Sequence, residues 1–333
     1  MRYFLSSVKG QKNTAGEKAK LDIETILKNN KFKELKFSFP SSKLGKLFLT
    51  KSIAKKTIFN LNSNDTIVFQ YPIYSGFAAR VFLAECKKKS IQIIGVIHDI
   101  ESLRNLSDQR EIKKEIELLN MFSSLIVHNS MMQGWLSKNG VYVPMVQIGV
   151  FDYLQSSGVN DNDSQLPLVY AGNLKKAVFL NKWNQQNDIE VFGVSPSTYY
   201  PVKVKYMGVE SPESLVEKIR GSYGLIWDGD SELSEQSAIV NYTKYNNPHK
   251  LSLYISTGLP IIAWKKSAIA SFIVDNKIGV IVSTIGEIDE ELRKISDQEY
   301  VQMLNNVRLL SEKVTNGVYI KKAVDNAINL SKY

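Results

Sequence analysis

The 333-residue chain has one cysteine, Cys86. A lone cysteine excludes an internal disulfide framework and fits a reducing compartment. No apolar run approaches the length needed to span a bilayer. Residues 1–8 form a short apolar run entering a polar loop, without the basic start and long apolar centre of a secretory signal. These absences predict a cytoplasmic protein with no stable membrane insertion. The chain has only three histidines. No zinc-ligand spacing is present, and neither a nucleophile elbow nor a Ser/His/Asp order stands out. The dinucleotide fingerprint G-x-G-x-x-G and the P-loop are both missing, which argues against a nicotinamide enzyme and an NTPase.

What is present is a globular composition, 44% hydrophobic, in a chain long enough for two domains that each bury a core. The net charge of +9 comes from 42 basic and 33 acidic side chains. The lysines are dispersed and no basic tract interleaves with aromatics, so no nucleic-acid partner is expected. Strand and helix patterns alternate: strands at 2–8, 66–70, 91–97 and 124–127, helices at 17–29, 75–88, 109–121 and 130–138. A polar stretch at 156–165 reads as an interdomain linker or surface loop. Strands resume at 168–171, 189–192, 204–207, 223–227, 260–263 and 278–282, with helices at 177–183, 212–218 and 248–256 and a helical end from 297 to 333. The expected fold is α/β, with two Rossmann-like doubly wound domains facing a cleft. They span 1–155 and 166–315, and a C-terminal helix at 316–333 closes the chain and can cross back to the first domain. A ligand would sit in that cleft, at the C-terminal ends of the strands.

The loops after the strands carry the candidate chemistry. Asn246, Asn247, Pro248, His249 and Lys250 open a helix that ends at Gly258. Asn is a good cap and Pro is tolerated at the first helical position. His249 and Lys250 place cations against the positive end of the helix dipole. A bound anion answers that arrangement, because a helix N-terminus presents N–H groups to phosphate. After the strand at 168–171, Gly172 permits close approach, and Asn173, Lys175 and Lys176 follow. A lysine there would neutralise a diphosphate; the alternative is a capped turn with exposed lysines. The loop at 9–16, which contains Thr14 and Gly16, would bring backbone N–H groups to a phosphate or sugar.

In the first domain, His98 and Asp99 follow the strand at 91–97. Asp99 is a candidate general base towards a hydroxyl or a contact to an acceptor's hydroxyls; its alternative role is a cap. Tyr71 would line the same cleft, while His128 reads as structural. Asp228-Gly229-Asp230 mimics a D-x-D metal motif, but no histidine or cysteine cluster accompanies it, so no metal site is expected. Asp228 either touches a sugar hydroxyl or belongs to a turn.

Three segments carry a resemblance: Gly95 to Arg104, Tyr170 to Leu174, and Asn247-Pro248-His249-Lys250 with Tyr254 and Gly258-Leu259-Pro260. Together with the two-domain layout they resemble the GT-B glycosyltransferases. In particular they resemble the bacterial glucosyltransferases that extend O-linked N-acetylglucosamine on serine-rich-repeat adhesins, and the related galactofuranosyl- and capsule-type transferases. The resemblance implies transfer of a hexose, glucose first, from a UDP-sugar to an acceptor sugar, with no cofactor and no tightly bound metal. It implies a donor held by Thr14, Gly16, Gly172, Asn173, Lys175 or Lys176, Tyr206, and Asn246 to Lys250. Lys250, His249 and Asp99 would be the catalytic groups, with Tyr71, His98 and Asp99 on the acceptor side. It further implies a glycan or glycoprotein acceptor and a homo-oligomer, tetramer or dimer. A galactofuranosyl- or other hexosyltransferase of cell-surface polysaccharide synthesis is one alternative. A non-catalytic partner subunit is the other.

Overall fold

The computed structural model describes residues 1–6, 15–40, 42–73, 75–233 and 237–330. The chain divides into two compact units: one takes in Ala19–Ile148 with the first strand and the last helix, the other Gly149–Val318.

The first unit is a six-stranded parallel sheet. Its strands are β1 (Arg2–Ser6), β2 (Lys33–Lys36), β3 (Thr66–Tyr71), β4 (Gln92–Ile97), β5 (Ser124–Val127) and β6 (Met145–Gln147), in spatial order β2-β1-β3-β4-β5-β6. The helices α1 (Ala15–Asn29), α2 (Lys43–Thr57), α3 (Gly76–Lys88), α4 (Glu101–Arg104), α5 (Gln109–Leu119) and α6 (Ser130–Lys138) connect them. β3 and β5 are buried along their whole length, as expected of central parallel strands covered on both faces. Ser75, Asp108 and Asn129 cap the helices that follow, each accepting from backbone N–H groups of the first turn. Sequence patterning overlooks β2 and α2. β2 is a polar edge strand, and α2 turns leucines and a phenylalanine outwards, so neither shows the periodicity of a buried face.

The second unit repeats the design with β7 (Leu168–Ala171), β8 (Ile189–Phe192), β9 (Val204–Gly208), β10 (Gly224–Ile226), β11 (Ile261–Trp264) and β12 (Gly279–Val282), in order β12-β11-β10-β7-β8-β9. Its helices are α7 (Pro212–Lys218), α8 (Ala238–Thr243), α9 (His249–Ser256), α10 (Ala270–Asp275), α11 (Ile288–Arg293) and α12 (Asp297–Thr315). The core joins Tyr170, Phe179, Trp183, Leu225 and Trp227 with Ile262 and Trp264. Gly317, at φ +71°, separates α12 from α13 (Val318–Leu330). α13 packs on the first unit: Ser124 Oγ donates to the Ala327 carbonyl at 3.2 Å and Gln92 Nε2 to that of Ile328 at 3.1 Å.

The polar stretch at 156–165 is the surface loop of its two expected forms, and it belongs to the second unit. Asn160 Nδ2 donates to the Val216 and Ile219 carbonyls, and buried Asn162 joins the Thr257 carbonyl to the Gly221 N–H, so the segment is stitched to the second unit. The helix expected at 177–183 is two short 3-10 turns, Leu174–Lys176 and Val178–Lys182. The Phe179 N–H is drawn to the Gly229 carbonyl, at 3.1 Å, instead of an intrahelical partner.

Candidate functional site

In the second sheet the chain runs outwards from β7 to β9, then returns to the other side of β7 with β10. The gap between β7 and β10 is therefore a topological switch point, where ligands of doubly wound sheets bind. The two strands pair at Gly224 and Val169. Beyond that pair the Tyr254 hydroxyl stands between them: it accepts the Ala171 N–H at 2.9 Å and lies 3.3 Å from the Leu225 carbonyl. Gly224 makes room for this wedge, since a Cβ there would fall 2.4 Å from the Tyr254 ring.

Lys250 lies at this opening. Its Nζ donates to the Tyr170 hydroxyl at 2.7 Å, to Asp228 Oδ1 at 2.7 Å and, more weakly, to the Trp227 carbonyl at 3.4 Å. Tyr170 in turn donates to Asp228 Oδ1 at 3.1 Å. The three groups close a polar triangle across the ends of β7 and β10. The Lys250 side chain is 15% exposed. Burial pushes its ammonium pKa down from the ordinary lysine range, and Asp228 opposes the shift. Lys176 adds positive charge that lowers it further. Gly172 lets the lysine pass, because a Cβ there would meet Lys250 Cε at 2.8 Å.

The Asn-Asn-Pro-His-Lys loop is built differently from the expectation. Pro248 occupies the N-cap of α9, and no side chain among the described residues caps the helix. Asn247 is buried and donates through Nδ2 to the Gly149 carbonyl at 2.7 Å, fixing the approach to the helix. Asn246 Oδ1 is buried without a hydrogen-bond partner among the described residues. His249 is not a cation at neutral pH: burial pushes its pKa down to about 4. Its ring packs on Phe151, with centroids 4.9 Å apart. The charge at the helix start is therefore that of Lys250 alone. The helix ends as expected, with Gly258 at φ +73° and the Leu259 N–H reaching the Tyr254 carbonyl at 2.9 Å.

Around this corner, Asn173 Oδ1 accepts the Lys175 N–H at 3.1 Å and opens the first 3-10 turn. Lys175 is exposed and Lys176 half-buried; only the latter acts on Lys250. Tyr206, on edge strand β9, donates to the Gly193 carbonyl at 3.1 Å. Gly193 is a residue that sequence reasoning missed. It lies so close to Gly172 that a Cβ would fall 1.7 Å from the Gly172 carbonyl oxygen. Asp228 and Asp230 do not form a matched pair: Asp228 is taken by Lys250 and Tyr170, while Asp230 binds Lys182 and the Ser231 N–H.

In the first unit, His98 and Asp99 follow β4. His98 Nε2 is 2.8 Å from Gln70 Oε1, within the protein. Asp99 Oδ2 accepts from Arg104 at 3.0 Å and its side chain is 33% exposed. Lys20 lies in its field and donates to the Pro72 carbonyl. Tyr71 is an interior residue: it is 5% exposed and donates to Glu115 at 2.7 Å. The same carboxylate accepts the Glu101 and Ser102 N–H groups at the start of α4. Buried His128 donates to the Ile97 carbonyl at 3.0 Å, a structural role. Gly16 is exposed, at the start of α1, and Thr14 lies outside the described residues.

Comparison with known proteins follows the same two-unit division. Residues 2–150 match the N-terminal domain of the glucosyltransferase 3-like family and residues 168–327 its C-terminal domain. A β-1,6-galactofuranosyltransferase, WbbI, of Escherichia coli K12 is 34% identical over 278 residues, 81% of each chain. Glucosyltransferase 3 of Streptococcus gordonii is 23% identical over 313 residues, 93% of each. Among solved structures, Anabaena HepE in complex with UDP and glucose superposes with a TM-score of 0.63 at 15% identity, covering 100% of this chain and 99% of that one. Matched in both domains, the chain belongs to the glucosyltransferase 3-like family of GT-B glycosyltransferases.

Proposed function

We propose that this glycosyltransferase takes its hexose from a UDP-sugar and that the corner between β7 and β10 holds the diphosphate. The observation that carries the reading is Lys250, a largely buried ammonium beside the uncapped N-terminus of α9. Cleavage of the sugar–phosphate bond leaves negative charge on the departing UDP. A preorganised cation at a helix N-terminus stabilises that charge as it develops. Lys176 adds to the positive field, and Asn246 Oδ1, unpartnered among the described residues, is suited to accept from a ribose hydroxyl. Gly172 makes room for Lys250, Gly193 for the Gly172 carbonyl, and Tyr206 flanks them. His249, neutral and stacked on Phe151, positions the loop and carries no charge in the reaction. Asp99 is the acceptor-side group, taking up the proton of the attacking hydroxyl.

The relatives support two readings of the donor. The 34% identity with a galactofuranosyltransferase favours a galactofuranosyl donor, and a cell-surface polysaccharide is the acceptor proposed with it. Glucosyl transfer is the second reading, supported by the glucosyltransferase 3 relative, with O-linked N-acetylglucosamine on an adhesin as its proposed acceptor. Incubation with UDP-glucose, UDP-galactose and UDP-galactofuranose, with UDP release as the readout, decides among them. Release from none of the three, with or without acceptor sugars, would sink the reading and leave a non-catalytic subunit.

A further inference from the structure

Helix α2 presents a surface that donor binding does not explain. Between Glu34 and Asp65 the chain has six lysines (Lys36, Lys43, Lys46, Lys51, Lys55 and Lys56) and no acidic residue. Its inner face buries Thr50 and Ala54, followed by Ile58 at the C-cap. Its outer face is apolar at one end: Leu44 is 71%, Leu47 60% and Phe48 71% exposed. These three lie three and four residues apart, on one side of the helix. Lys51 and Lys55 continue that side over the next two turns, both exposed, with Phe59 just beyond at 77% exposed. Neighbouring elements add more cations. Thr57 Oγ1 is 3.4 Å from the Lys36 carbonyl, and Lys89 Nζ donates to the Ile58 and Phe59 carbonyls. Glu85 of α3 is the acidic group whose field includes Lys51 and Lys55, but it is buried and held by Lys88 at 2.6 Å.

We propose that α2 is a membrane-surface docking element, lying flat on an anionic lipid layer. Leu44, Leu47 and Phe48 enter the interface, and Lys43, Lys51, Lys55 and Lys56 meet lipid phosphates. An amphipathic basic segment with exposed aromatic and leucine side chains binds in that way, through apolar burial and attraction to anionic headgroups. The helix lies on the surface and does not cross it, since no helix among the described residues is long and apolar enough to do so. A second copy of the chain fits the face poorly. A two-fold contact would set these lysines against themselves, with no carboxylate on the helix to answer them. The proposal is independent of which sugar is transferred.

The test is co-sedimentation of the full chain with phosphatidylcholine vesicles, with and without about 30% phosphatidylglycerol. Binding should rise at least about fivefold with the anionic lipid and fall in about 0.5 M salt. Leu44→Ser with Phe48→Ser, and separately Lys51→Gln with Lys55→Gln, should each remove that gain. Both pairs should leave UDP release in solution and the melting temperature unchanged. The lysine pair is exposed, so it keeps the test open if the apolar pair misfolds. Equal binding to both vesicle types, or lysine variants that bind as wild type does, would overturn the proposal. So would concentration-dependent self-association, seen by sedimentation velocity, that the same substitutions abolish; that result would give the face to a second copy.

Discussion

Both units wind a six-stranded parallel sheet in the same way, yet their strand ends are furnished differently. In the second unit Tyr254 holds β7 and β10 apart, and Lys250, Asp228 and Tyr170 fill the opening with a half-buried ion pair. In the first unit the polar groups near β3 and β4 serve the fold. Glu115 receives Tyr71 and the two N–H groups at the start of α4, His98 faces Gln70, and Asp99 is paired with Arg104 near solvent. A desolvated cation is costly unless it is paired, and Asp228 pairs this one. On the proposed reading the electrostatic work of the reaction belongs to the second unit, and the first offers the partly exposed Asp99 to a neutral acceptor.

Substitutions can break this contrast. The largest effect is expected from Lys250→Ala, which should lower kcat by about 10²–10³-fold, or about 3–4 kcal/mol of transition-state stabilisation. Asp99→Asn should cost less, and steady-state UDP release measures both. His249 tests the same loop through stability. Its folded pKa, about 4, lies below the ordinary value of 6.5, so the unfolded chain binds the extra proton between the two. Stability is therefore full above about pH 6.5 and falls by up to about 3 kcal/mol on going to pH 4. His249→Gln should flatten that slope in urea titrations at a series of pH values.

Asp228→Asn removes the counter-ion of Lys250. The lysine pKa should drop further, so activity should be lost as pH rises, with a midpoint below that of the wild type. The difference should be about tenfold at neutral pH and should narrow in acid; a profile of unchanged shape would mean that Asp228 does not hold the charge. The smallest effect is expected from Tyr71→Phe, which leaves Glu115 with its two N–H partners. It should cost about 1 kcal/mol of stability and leave UDP binding untouched. A loss of UDP affinity would erase the distinction between the units.

The sequence showed the repeated α/β pattern because β3, β5, β7 and β11 are continuous apolar runs buried on both faces. It also showed the loop that brings Lys250 to a helix N-terminus. It did not show the partner of that lysine. Asp228 lies 22 residues away, and the two meet because α9 packs back on β10. His249 misled for a related reason: a histidine at a helix start reads as a cation until its packing on Phe151 is known. Tyr71 follows a strand as a ligand residue would, but its hydroxyl points to a glutamate 44 residues further on. Helix α2 was hidden because its apolar side chains face outwards, against the rule that makes helices legible.

The central claim is that the second unit binds the donor's diphosphate through Lys250. Titration calorimetry with UDP on the wild type, Lys250→Ala and Asp99→Asn tests it most directly. The account predicts binding by the wild type and by Asp99→Asn with similar affinity, and a loss of about tenfold or more in Lys250→Ala. UDP binding by folded Lys250→Ala at wild-type affinity would contradict it.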